Sequence, residues 1–220
     1  KGKATVTGYA FPENETNFAS IVDKALAAKP DAILLISYDE AKKAIPALKA
    51  KAFDAKNLYL VDGNLADYSK ESFAEYLNGA KGSLPGKATD KSFAAKLKAK
   101  YKKVTGKALT ELAYGAETYD AVILAALAAQ AAGTATGAGI KSQITNISLT
   151  AAGKTKVTDF ASGLKALKAG KKINYDGQSG PVEFDKNGDP SGAFIGIYRY
   201  GTAGTYAENL LKVVAGNTVK

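Results

Sequence analysis

The chain has 220 residues, 46% hydrophobic and 23% charged, with a formal net charge of +9. That balance is ordinary for a globular protein, and its longest uncharged apolar stretch, Ala121 to Ala132, falls short of the roughly eighteen residues a membrane-crossing helix needs. Cysteine and histidine are absent, which excludes disulfides, thiolate chemistry, histidine triads and the common zinc sites.

The predicted elements begin with Thr5-Val6-Thr7-Gly8-Tyr9-Ala10-Phe11. It alternates with period two and reads as a strand ended by Pro12 and Asn14. Phe18, Ile21, Val22, Ala25 and Leu26 then recur at helical spacing, with Asn14 or Thr16 as the cap and Lys29-Pro30-Asp31 as the stop. Ala32 to Ser37 is a short apolar run of the kind buried on both faces of a parallel sheet. Glu40 to Lys51 returns to helix, where Pro46 predicts a kink or a late start. Leu58 to Val61 reads as another buried strand, and Ser69 to Leu77 as a short helix. Strand and helix alternating in this way indicate an α/β domain with a parallel sheet, whose functional loops lie at the carboxyl ends of its strands.

A stretch rich in Gly, Pro and Ser, from Gly79 to Gly86, marks the candidate domain crossing. Beyond it the pattern predicts a lysine-rich amphipathic helix from Asp90 to Lys103. A long buried helix is expected from about Tyr114 to Ala132, a third from Ile140 to Ile147, and a fourth from Lys156 to Ala169 closed by Gly170. Gly180 to Asp185 and Ala193 to Tyr200 read as strands joined by the turn Asp185-Lys186-Asn187-Gly188-Asp189. The tail beyond Gly201 carries only a weak apolar patch, Leu210 to Val214.

The positive charge is almost all lysine; Arg199 is the only arginine. Lysine is a point charge without the forked donors that clamp phosphate and read guanine, and Lys96, Lys98, Lys100, Lys102 and Lys103 spread over a helix face. The basic balance therefore reads as a solvated surface, one suited to work near an anionic surface, and not as a nucleic-acid site. The Asp185–Asp189 segment has glycine fourth and lacks the closing glutamate of a calcium loop. Gly133, Gly137 and Gly139 follow a helix, the wrong context for a dinucleotide fingerprint. Asn14-Glu15-Thr16 and Asn146-Ile147-Ser148 match the glycosylation acceptor pattern.

Three features at strand and helix ends stand together. Ser37-Tyr38-Asp39 follows one strand, Asp62-Gly63-Asn64 follows the next, and Tyr114 opens the long helix. An aromatic face and a carboxylate at adjacent strand ends suit a small ligand with an ammonium group; a loop tyrosine and a helix-capping aspartate account for the same residues. Glu117 and Asp120 face similar directions on their helix, as a carboxylate pair or as acids of a solvated first turn, the second reading suiting Asp120 better.

The order of several short stretches resembles the type I periplasmic binding proteins of ABC importers, the branch serving branched-chain amino acids and amides. They are Tyr9-Ala10-Phe11 with Asn17-Phe18, Lys29-Pro30-Asp31-Ala32, Leu58 to Gly63, Tyr114 with Tyr119-Asp120-Ala121-Val122, and Tyr175 to Pro181 with Phe184-Asp185 and Gly188-Asp189. The resemblance implies an α/β fold of two lobes with parallel sheets flanked by helices, the ligand held between lobes that close on a hinge. Residues 1–82 resemble the second lobe, 83–190 the later part of the first lobe, and 191–220 a return strand to the second lobe with a tail. Tyr38 would contact the ligand backbone, Asp62 stands within one residue of a family acid that binds the α-ammonium, Tyr114 lies where an aromatic side chain lines the pocket, and Glu117 follows one helical turn on.

The family's opening βαβ portion has no counterpart here, so the first lobe is expected to be incomplete and the chain to be a C-terminal fragment, or part, of a longer protein. An N-terminal segment or a second copy would cover the open sheet edge. Ala52 and Ala55 stand where a glycine and a larger apolar residue would be less surprising. The implied role is an extracytoplasmic protein, periplasmic or at the cell surface, that binds a small amino acid or amide and delivers it to an ABC permease, with no cofactor, no metal, no nucleic acid and no catalysis. A sensing domain of the same fold, or an enzyme of flavodoxin-like or hydrolase type, is the alternative.

Overall fold

The computed structural model describes residues 3–86, 89–185, 187–206 and 210–217, by backbone alone at 193 and 215–217. Lys1-Gly2 of the chain opening and Lys186 of the predicted turn lie outside the described residues. In chain order the elements are α1 (Ala19–Ala27), β1 (Ile33–Leu35), α2 (Ala41–Ala50), β2 (Leu58–Leu60), β3 (Lys81–Pro85), α3 (Lys91–Thr105), α4 (Gly115–Ala132), α5 (Gly137–Ser148), β4 (Thr155–Val157), α6 (Phe160–Lys168), β5 (Ile173–Tyr175), β6 (Gly192–Arg199) and β7 (Leu210–Asn217). The chain divides into two compact units: unit 1 is Lys1–Leu84 with Ile197–Lys212, and unit 2 is Pro85–Gly196 with Val213–Lys220. The three divisions fall within β3, β6 and β7.

The sheet runs in the order β1-β2-β3-β6-β7. β1 and β2 are parallel, with Ile33 opposite Leu58 and Leu35 opposite Leu60, and β2 and β3 are parallel, with Leu60 opposite Gly82. In unit 1 the helix α2 turns Ala41, Ala44, Ile45 and Leu48 inward. Ile45, Leu58, Leu60 and Leu77 are essentially solvent-free, each contributing about 1.5–3 kcal/mol by burial. α2 begins at Ala41, well ahead of Pro46, so the late start is excluded. An aromatic chain joins Tyr68, Tyr200 and Tyr206, with ring centroids 6.1 and 5.5 Å apart. The Tyr200 hydroxyl donates to the Ala66 carbonyl at 2.7 Å and accepts from the Ala66 N–H at 3.1 Å, fixing the segment after β2.

Several expectations for unit 1 are corrected. Thr5 to Phe11 forms no strand and is almost wholly exposed, with Val6 at 86%; alternation supplies the pattern of a strand, but a strand exists only when a neighbour takes its backbone bonds. β1 ends the sheet and buries one face only: Leu35 is 8% exposed and Leu34 60%. Neither Asn14 nor Thr16 caps α1; the Asn17 side chain accepts from the Ala19 N–H instead. Ser69 to Leu77 is a series of tight turns ending in one 3₁₀ turn, Glu75–Leu77, because its N–H groups bond three residues back (Glu71 to Tyr68, Ala74 to Glu71, Leu77 to Ala74). Gly79 to Gly86 contains β3, which the glycine and proline content concealed. Ala52 has φ 54, the left-handed conformation that suits glycine.

Unit 2 packs α4, α5 and α6 with a two-stranded parallel pair, β4 and β5, around Leu124, Leu127, Ile147, Val157, Ile173 and Tyr175. Helix ends follow their capping residues: Asp90 accepts from Ser92 and Phe93, Thr136 from Gly139 and Asp159 from Ser162. The helix expected from Lys156 is split by that Asp159 cap. Its first residues are β4, with Val157 opposite Tyr175. α4 is buried on one face and not all round, since Val122 is 63% exposed. Gly180 to Asp185 holds only two isolated antiparallel bridges, Asp176 to Pro181 and Phe184 to Pro190. The Asp185 carboxylate accepts from the N–H groups of Asn187 and Asp189, which closes the turn there.

Candidate functional site

In unit 1 the carboxyl ends of β1 and β2 lie side by side because the strands are parallel neighbours. Their loops are joined by one side chain, Asn64, which is 2% exposed. Its amide NH₂ donates to the Leu35 carbonyl and to Ser37 Oγ, both at 2.9 Å, and its Oδ1 accepts from the Val61 N–H at 2.8 Å. Its own carbonyl accepts from the Tyr68 hydroxyl at 2.7 Å. Every polar function of that amide is used, as burial requires. The sequence carried only a turn-like Asp-Gly-Asn, and nothing in it distinguished a buried amide from a loop residue.

On this base stand the two residues expected to meet a ligand. Tyr38 is 75% exposed. Its ring lies on Gly63: a Cβ there would stand 3.0 Å from two ring carbons and 2.8 Å from the Ser37 carbonyl oxygen. Asp62, exposed, immediately precedes that glycine. The structure therefore sets the Tyr38 ring against Gly63, the residue that follows Asp62. The Tyr38 N–H donates to Glu40 Oε2 at 3.0 Å. Hydrogen bonds from the backbone N–H groups of Glu40 itself and then of Tyr38 hold the Glu40 carboxyl below its usual range. Asp39 faces outward, 3.4 Å from Lys42. An aromatic face open to solvent beside a carboxylate attracts a cationic group.

In unit 2, Tyr114 stands just before α4 with φ 58 and is 42% exposed. A left-handed conformation in a bulky non-glycine residue costs of order 1 kcal/mol and is a known mark of functional positions. Its carbonyl accepts the first bond of the helix, from Thr118 at 2.9 Å. Glu117 is half-buried and lies against Gly86, where φ is 98 and a Cβ would overlap the Glu117 carboxylate. Burial, and then the charge of Asp120, push the Glu117 carboxyl up, against the hydrogen bond from its own N–H.

Asp120 is not part of a solvated turn; it is 1% exposed. It accepts from the Tyr175 hydroxyl at 2.6 Å, the Gln178 N–H at 2.9 Å, and the Ser179 N–H and hydroxyl at 2.7 and 2.5 Å. Gly177 passes so close that a Cβ there would overlap the carboxylate. With its oxygens engaged in this way Asp120 is a structural anchor, and the carboxylate pair with Glu117 is not formed as a working pair. Burial and this bond to Asp120 push the Tyr175 hydroxyl well above its usual range.

A family model described as the receptor family ligand binding region matches residues 7–197. The chain belongs to that family. No curated protein matches it. Among solved structures it is similar to a leucine binding protein of Thermotoga maritima (TM-score 0.66, 20% identity, 93% of this chain and 50% of that one). It is also similar to a putative branched-chain amino acid ABC transporter protein of Rhodospirillum rubrum (0.53, 17% identity, 89% and 49%). A type 1 periplasmic binding protein of Bordetella pertussis matches as well (0.55, 14% identity, 94% and 51%). At these identities the likeness is one of fold, the α/β fold of type I periplasmic binding proteins. The chain spans about half the length of these structures.

Proposed function

We propose that this protein is a solute-binding protein that takes a small amino acid of branched-chain type, or an amide, outside the cytoplasmic membrane and delivers it to an ABC permease. The observation that carries this reading is the exposed Tyr38 ring laid on Gly63 beside Asp62, in a chain of a ligand-binding family. The ring face and the carboxylate would share the ligand ammonium. Tyr114 would cover an apolar side chain, and Glu117 would add an acceptor. The reading is one of binding without catalysis.

A thermal-shift panel of L-leucine, L-isoleucine, L-valine and their amides tests it. A ligand that binds only the folded chain raises Tm with concentration. A rise that saturates for one of these is expected. No shift for any of them at millimolar concentration overturns the reading. The family description names receptors, which favours one second reading, a ligand-sensing domain with the same site. Capture of permease subunits by the ligand-loaded protein separates the two.

A further inference from the structure

Charge is concentrated in one element. Residues 90–107 hold seven lysines and one acid, Asp90, a net +6 out of the chain's +9. α3 carries six of those lysines, no acid and no buried residue. It rests on unit 2 through Phe93, whose ring meets Tyr119 at 5.1 Å between centroids, and Leu97, which packs on Gly115. The lysines occupy the rest of its circumference and all are exposed. The ion pairs found among the described residues use Lys42, Lys51 and Lys156, and none uses a lysine of α3. Lys96 with Lys100 and Lys98 with Lys102 stand one turn apart, where like charges disfavour the helix. Among the described residues no ion pair offsets that charge, and the Asp90 carboxylate interacts with Lys96 without pairing to it.

The carboxyl-terminal turns add a second feature. Val104 is 69% exposed and Tyr101 37% exposed, beside Lys100, Lys102 and Lys103. Lysines flanking an exposed aliphatic side chain and a tyrosine make the chemistry of a helix lying at the level of lipid headgroups. Arginine, whose planar fork clamps phosphodiesters and reads base edges, is missing from the helix. We propose that α3 is a docking surface for an anionic lipid bilayer. It holds whatever ligand the protein binds.

Co-sedimentation of the 220-residue chain with phosphatidylcholine vesicles, with and without phosphatidylglycerol, tests this. Binding is expected only to the anionic vesicles, weakening as salt is raised. The triple variant Lys98→Glu, Lys102→Glu, Lys103→Glu should bind at least about a hundredfold less, from roughly fivefold for each lysine removed. Its unchanged circular dichroism would show that the fold is kept. Lys165→Glu, Lys168→Glu, Lys171→Glu, on and just after α6, changes net charge equally and should retain most of the binding. Equal binding to neutral vesicles, or equal loss in the two triple variants, overturns the proposal. Tighter retention on random-sequence duplex DNA at the same salt overturns it in favour of nucleic acid.

Discussion

In unit 1 a neutral amide, Asn64, holds the strand-end loops together; in unit 2 a carboxylate, Asp120, holds the loop that carries Gln178 and Ser179. Both side chains are almost free of solvent and satisfied by several short bonds. They differ in what stands beside them. Asn64 supports Tyr38 and Asp62, which are exposed, whereas Asp120 lies three residues beyond Glu117, which is half-buried. A charge buried with many donors anchors more strongly than an amide and is harder to lose. The comparison teaches that the buried member of each polar cluster carries structure, beside neighbours that are exposed in unit 1 and half-buried in unit 2.

The largest expected effect follows from that charge. Asp120→Ala strands the Tyr175 hydroxyl and the Gln178 and Ser179 donors, and should cost about 4 kcal/mol or more in urea unfolding. A loss under about 1 kcal/mol would break the comparison at once, since that is no more than an ordinary surface change. Asn64→Ala comes next, at about 2 kcal/mol. It should also loosen residues 37–38 and 61–63, read as faster amide exchange there than in β2. Unchanged exchange would show that the amide does not hold the loops.

What was legible in the sequence divides along similar lines. Leu58 to Leu60 and α4 announced themselves as apolar runs, and α1, α2, α3 and α6 by the spacing of their apolar residues, because a helix that packs on one side leaves a period. β4 and β5 have three residues each, too few for any period to show. Thr5 to Phe11 had the period without the neighbour. In the site, Tyr38 and Asp62 were legible as residues after parallel strands, where such folds place their loops. Asn64 and the anchoring role of Asp120 were not, because hydrogen bonds between residues 27 to 59 positions apart leave no local pattern. Tyr119-Asp120 and Tyr175 to Ser179 were already singled out as separate stretches; the fold joins them through one carboxylate.

A smaller effect sharpens the unit 2 side. The Glu117 carboxyl is held above its ordinary value chiefly by burial, so the folded chain takes up its proton more readily than the unfolded chain. That contribution favours folding below the usual glutamate range, about pH 4, and is lost as pH rises through the raised folded value. Glu117→Gln should therefore gain in Tm relative to the natural chain on going from acid to neutral pH. A difference independent of pH would show that Glu117 titrates as if in water.

The most direct test of the ligand site sets two exposed acids of the same loops against each other. The affinity for L-leucine is measured by titration calorimetry for the natural chain, Asp62→Ala and Asp39→Ala. Asp39 points outward beside Lys42, and Asp62 adjoins the glycine under Tyr38. The account predicts a loss of tenfold or more for Asp62→Ala, at about 1.4 kcal/mol per tenfold, and an affinity for Asp39→Ala equal to that of the natural chain. Equal affinities in all three would contradict it.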